Sequence, residues 1–171
     1  MIFLITYLLL LVVLISARGY NLITNLTCTS GAHIIVIRGS LEPQGPSIIG
    51  VVAQHISSRI PNSDISALKY PAIYDPYKPS QTKGIRALTK VVKLYTTPYP
   101  KTKIIILGFS QIFPRQKPNG CRYVSGKTMS FCDAGDPFCE AGGHDLSTHM
   151  RYVSTYGQTA ADFAVSMFHL A

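Results

Sequence analysis

The chain has 171 residues, a net charge of +8 and a hydrophobic fraction of 47%. That is the composition of a folded chain, not a disordered one. Its Lys and Arg residues are scattered, so the charge reads as a solvated surface and argues against a nucleic-acid partner or a stable membrane partner.

Residues 2–15 (IFLITYLLLLVVLI) carry no charge and are followed by the small pair Ser16-Ala17. This predicts a signal peptide over residues 1–17; the run is short of the roughly 20 apolar residues a membrane span needs. A secreted protein follows as the expectation, with one domain over residues 28–171, since no linker or repeat divides it. Asn25-Leu26-Thr27 is an acceptor pattern for N-glycosylation, and four cysteines in a secreted chain suggest disulfides. Cys132 and Cys139 lie close enough to close a small loop, which leaves Cys28 and Cys121. A monomer is expected.

Along the chain, Ala32–Ile37 is a short β-branched run that ends at Arg38-Gly39-Ser40, a buried strand and a turn. Ser47–Ile60 places apolar residues at helical spacing and is stopped by Pro61. Asp64–Tyr70 reads as a second strand and Pro71–Thr82 as a loop with three prolines. Lys83–Tyr95 reads as a second helix and Thr102–Leu107 as a third strand that runs into Gly108-Phe109-Ser110. Alternating strands and helices imply parallel pairing, with sites beyond the carboxyl ends of the strands, where Ser40 and Ser110 both fall. Between Gln111 and Gly126, Pro114, Pro118 and Gly120 exclude a long helix. Lys127–Phe131 is a candidate last strand, and Thr155–Leu170 a terminal helix.

The Gly-Phe-Ser-Gln after an apolar strand is the front of a nucleophile elbow, in which a sharp turn lifts the serine hydroxyl out of the sheet edge. A serine needs a base and the base needs a carboxylate. His144 and His149 in the loop before the terminal helix, and Asp133 and Asp136 inside the Cys132–Cys139 loop, are the candidates; His169 reads as structural or exposed. The cysteine spacing does not suit zinc, and no metal or cofactor is expected.

Cys132-Asp-Ala-Gly-Asp-Pro-Phe-Cys139 resembles the catalytic-acid loop of the cutinase family, and Thr148-His149-Met150-Arg151-Tyr152 followed by Tyr156-Gly157 resembles the acetylxylan esterase form of its histidine segment. Gly108-Phe109-Ser110-Gln111 matches the nucleophile motif, and Arg38-Gly39-Ser40-Leu41-Glu42 resembles the first loop of cutinases. The resemblance covers nearly all of residues 28–111 and 121–170. It implies a three-layer α/β/α sandwich around a small, mostly parallel sheet, and a Ser110–His149–Asp136 triad. It also implies a Cys132–Cys139 disulfide and an oxyanion hole from Ser40 and the backbone N–H of Gln111. The expected activity is hydrolysis of esters in plant cell-wall polymers, acetylated xylan ahead of cutin polyester.

Three departures stand beside it. Ile112 replaces a family glycine, and Tyr99 stands where a cysteine would pair with Cys28, leaving a Cys28–Cys121 bridge without geometric support. A helix and a strand that the family places after the nucleophile are missing. Their loss forces the sheet to close a gap of about 4.8 Å or to leave edges unpaired. Either the chain is a shortened form of an active esterase, or it is an inactive variant that serves only as a binding protein.

Overall fold

The computed structural model describes residues 29–110 and 126–171. The signal-like stretch, Asn25, Cys28, Gln111, Ile112 and Cys121 lie outside the described residues. The elements are β1 (Ala32–Ile37), α1 (Gly50–Arg59), β2 (Asp64–Ala67), α2 (Tyr77–Thr96), β3 (Lys103–Gly108), α3 (Leu146–Met150) and α4 (Tyr152–Leu170). The three strands form a parallel sheet in the order β2-β1-β3.

β1 is central and its side chains alternate between two layers, as a pleated strand requires. Ala32, Ile34 and Val36 join Val52, Ala53 and Ile56 of α1 and Ala161, Ala164 and Val165 of α4 in the main core. His33 points to the opposite face, where its ring stacks on Tyr95 of α2 with centroids 3.5 Å apart. The sheet is therefore covered by α1 and α4 on one side and by α2 on the other, an α/β fold.

Two expectations need correction. Lys127–Phe131 is not a strand; these residues run irregularly, and β3 has no outer partner among the described residues. Without a neighbouring backbone to pair with, a strand-like sequence has no reason to extend. The second helix begins at Tyr77, well before Lys83. Pro79 had suggested a loop, but it falls in the first helical turn, where a missing N–H costs nothing.

His33 also forms a carboxylate–imidazole–hydroxyl array. Its Nδ1 lies 2.6 Å from Asp64 Oδ2 and its Nε2 3.2 Å from Ser66 Oγ. The order of groups is that of a triad, but the imidazole is completely buried beneath Tyr95 and leaves no room for a substrate. It ties β1 to β2 at a register where His33 faces Asp64.

The buried guanidinium of Arg38 fixes the loops at the carboxyl ends of β1 and β2. It donates to the carbonyls of Glu42 (2.9 Å), Tyr70 (2.7 Å) and Pro71 (3.3 Å) and to Gln44 Oε1 (2.9 Å). Tyr70 returns a hydrogen bond to the Arg38 carbonyl at 2.5 Å and lies under the cation. Arg38→Leu leaves these part-buried acceptors without their donor. Urea unfolding is expected to show a loss of about 3 kcal/mol, the order of one or two charge-assisted hydrogen bonds.

Candidate active site

Ser110 follows β3 at its carboxyl end with a φ of 67°. A serine rarely adopts the left-handed region, and such strain collects where a side chain must be presented in one direction. The turn is packed against the loop after β1. A Cβ added to Gly39 would lie 3.2 Å from Ser110 Cβ and 3.2 Å from the Phe109 ring. A side chain there would press the two loops apart by a few tenths of an ångström. The Gly39 N–H donates to Glu42 Oε2 at 2.5 Å, and the other oxygen of that carboxylate takes the Ser47 hydroxyl. Ser40 is the next residue, half-buried in the same turn.

The Cys132–Cys139 disulfide is formed, with Cα atoms 5.8 Å apart. Within its loop Asp136 is buried, and its Oδ2 lies 2.9 Å from His149 Nδ1. Its Oδ1 accepts the Phe138 N–H at 2.8 Å. A Cβ at Gly143 would meet the Asp136 backbone at 2.6 Å, so only glycine fits beneath the acid. His149 lies on α3, whose N-cap is Asp145: its carboxylate accepts the N–H groups of Ser147 and Thr148. Hydrogen bonds from those two residues hold Asp145 at about 2. The open choices between residues are thereby separated in space. His149 is buried against Asp136 while His144 is exposed, and Asp133 serves the Tyr156 hydroxyl at 2.5 Å instead of an imidazole.

Burial pushes the Asp136 carboxyl up, but hydrogen bonds from His149, the Phe138 N–H and Tyr152, together with the charge of His149, outweigh it. The group is held below its ordinary 3.8. A lowered folded value stabilises the protein fully above 3.8 and loses that contribution as the pH falls through the lowered value. Melting temperatures taken from about pH 5 down to about pH 2 should therefore drop, and Asp136→Asn should flatten that drop.

Phe109 and Phe138 flank the imidazole, with centroids 5.0 Å and 4.5 Å from it. Ser110, Asp136 and His149 all line one cleft of about 630 Å³ between β3, α2 and α4. No hydrogen bond joins Ser110 to His149 among the described residues; such bonds often tighten only when substrate is bound. Gln111 lies outside the described residues.

The sequence profile of the cutinase family matches residues 27–112 and 114–168. The chain belongs to the cutinase family. By that membership it is a carboxylic ester hydrolase. A curated relative of this cutinase-family chain, acetylxylan esterase 2 of Talaromyces purpureogenus, is 24% identical over 200 residues, covering 78% of this chain and 85% of the relative. Since 78% of 171 residues is about 133, about 67 of those 200 positions have no counterpart here. The family match itself breaks at residue 113. Among solved structures, an acetylxylan esterase determined at 0.90 Å superposes with a TM-score of 0.73 at 23% identity, over 82% of this chain and 99% of that one. The catalytic core domain of an acetyl xylan esterase from Trichoderma reesei gives 0.67 at 19% identity over 82% and 99%. At these identities the superpositions speak for a shared fold.

Sequence reasoning did not single out Arg38, the close approach at Gly39, or Tyr152. Arg38 and Gly39 were legible only as a motif, because part of what they touch, Tyr70 and Pro71 for Arg38 and Phe109 and Ser110 for Gly39, lies far along the chain.

Proposed function

We propose that this chain is a secreted serine esterase that removes acetyl groups from acetylated xylan. Ser110 is the nucleophile, His149 the base and Asp136 the residue that orients the imidazole. His149 Nε2 takes the Ser110 proton as Oγ bonds to the ester carbonyl carbon. The tetrahedral oxyanion is held by Ser40 and the backbone N–H of Gln111. His149 then returns the proton to the departing sugar oxygen, and water releases acetate from the acyl-enzyme by the same steps in reverse.

The observation that carries this reading is the buried Asp136–His149 hydrogen bond opening onto a cleft that Ser110 also lines. The acetyl-xylan preference rests on the names of the similar proteins and on the likeness of the acid and histidine segments. Secretion and glycosylation at Asn25 rest on sequence patterns alone. The test is to expose the folded, disulfide-bonded protein to a fluorophosphonate, map the adduct by mass spectrometry, and measure acetate released from acetylated xylan. An adduct on Ser110 together with acetate release is expected. Folded protein that takes no label and releases no acetate sinks the proposal and leaves a binding protein of esterase ancestry.

A further inference from the structure

The positive charge is scattered along the sequence but not in space. α2 carries Lys78, Lys83, Arg86, Lys90 and Lys93 and no acidic residue. Lys83, Arg86, Lys90 and Lys93 follow one another at helical spacing, which puts them in a row on one face; Lys78 lies off that row. All four are exposed. At 1.5 Å per residue the row is about 15 Å long. We infer that it is a docking surface for an acidic polysaccharide, a chain whose sugar units carry carboxylates. The choice of a polysaccharide rests on the function proposed above.

A solvated helix face ordinarily mixes both signs, because opposite charges one turn apart stabilise a helix and like charges destabilise it. Along this row every neighbour one turn away is a like charge. No acidic residue of the chain relieves it. All eight lie among the described residues. Asp64, Asp136, Asp145 and Asp162 pair with His33, His149, Arg151 and Arg59. Glu42, Asp133 and Glu140 accept hydrogen bonds from Gly39, Tyr156 and Gly135. Asp75 precedes the helix, and no ion pair joins it to a cation of α2 among the described residues. An uncompensated row of cations draws its anions from outside the protein.

The surroundings of the row select the anion. The opposite face of α2 is turned to the protein: Gln81, Gly84, Ile85 and Leu88 line the cleft that Ser110 and His149 share, and Tyr95 stacks on His33. A polymer lying along the row is therefore about 10 Å, one helix diameter, from that cleft. Beside the cations stand Thr82, Thr89 and Thr96. Their hydroxyls donate to carbonyls one turn back and keep lone pairs that accept from sugar hydroxyls. A membrane surface calls for apolar side chains beside the cations, and a nucleic acid for rings on which bases stack. The tyrosines of α2 both face inward, and Leu94 is the one large apolar side chain on the outer face. A single file of cations suits one extended polyanion.

The test measures binding of the folded wild type to polygalacturonate, which carries carboxylates and no acetyl ester, so hydrolysis does not enter. Binding that weakens steeply as salt rises is expected. Replacing Lys83, Arg86, Lys90 and Lys93 together by glutamine, a good helix former, should lower the affinity at low salt by about tenfold or more. A second variant, with Lys69, Lys78, Lys101 and Lys127 replaced by glutamine, has the same net charge and leaves the row whole. Its affinity should fall by less than about threefold, since separated exposed charges act weakly. Equal losses in the two variants would assign the binding to overall charge and overturn the inference. So would a wild type that binds polygalacturonate no better than a neutral xylan, or that prefers duplex DNA or phosphatidylserine vesicles. Should the fourfold variant fail to fold, the pairs Lys83→Gln/Arg86→Gln and Lys90→Gln/Lys93→Gln decide, and unchanged affinity in both rejects the row. Hydrolysis of the neutral p-nitrophenyl acetate needs no such row, so the two readings fail separately. A wild type that binds the polymer but hydrolyses no ester sinks only the proposed function, and one that hydrolyses but does not bind sinks only this inference.

Discussion

Ser110→Ala is expected to lower kcat on p-nitrophenyl acetate by at least about 10⁴-fold, or about 5 kcal/mol of barrier, with little change in stability. The size follows from the chemistry. Without an Oγ no acyl-enzyme can form, and the remaining groups can only orient water and stabilise an oxyanion. The small effect on stability follows from the site. Ser110 is half-buried, takes part in no hydrogen bond among the described residues, and lies at the end of an edge strand. Alanine can even adopt the φ of 67° at a cost similar to that of serine, so the turn is not relaxed by the change. Steady-state kinetics beside a thermal melt checks both halves. A variant that retains more than about a hundredth of the activity would mean that the measured hydrolysis does not pass through Ser110.

The turn, the strand before it and the acid loop were all legible in the sequence, for a common reason. Each is a local feature whose chemistry is written in adjacent residues: β-branched runs for β1 and β3, glycine and serine at the turn, two cysteines seven apart. The choice of His149 over His144 was legible only through resemblance, because both occupy polar loop sequence five residues apart. What separates them in space is the Asp145 cap, which winds α3 and turns His149 inward. The errors were of another kind. Lys127–Phe131 has strand-like composition, but a strand exists only with a neighbour, and none is present among the described residues. The early start of α2 was hidden by Pro79, whose meaning depends on its position within a helical turn.

The positions of the relative that have no counterpart here bear on β3. Its Ile104-Ile105-Ile106-Leu107 is the sequence of an interior parallel strand, apolar on both faces. Ile105 and Leu107 pack on the core, but Ile106 is 49% exposed on the α2 side, and Ile85 of α2 is 60% exposed. Residues that a further strand and helix would cover therefore line an open cleft that reaches the site. The side of the sheet that carries β1, α1 and α4 is closed and well packed. The acid and histidine segments are anchored to that closed side through α4. Ser110 alone is presented from the open edge, so under the proposed roles any loss of activity should arise from its placement and not from the Asp136–His149 pair.

That pair makes a sharper demand, and Asp136→Asn tests it. The variant is expected to lose about 10⁴-fold in kcat while binding substrate normally, although it differs from the wild type by one NH₂ for one oxygen. The reason lies in the second donor to the acid. The Phe138 N–H reaches Oδ1 at 2.8 Å, so an asparagine must turn its carbonyl oxygen to that amide. Its NH₂ then faces His149 Nδ1, where Oδ2 stood at 2.9 Å. A donor opposite Nδ1 forces that nitrogen to be the acceptor, and the ring proton moves to Nε2. An imidazole protonated on Nε2 has no lone pair with which to take the Ser110 proton, so the base is present but in the wrong tautomer. The Nδ1 proton resonance should disappear with the activity, while the disulfide is retained and the melting temperature near neutral pH falls by the stabilisation that the lowered carboxyl supplied. If the resonance persists and activity falls by less than about tenfold, Asp136 does not set the tautomer, and the orienting role passes to another group.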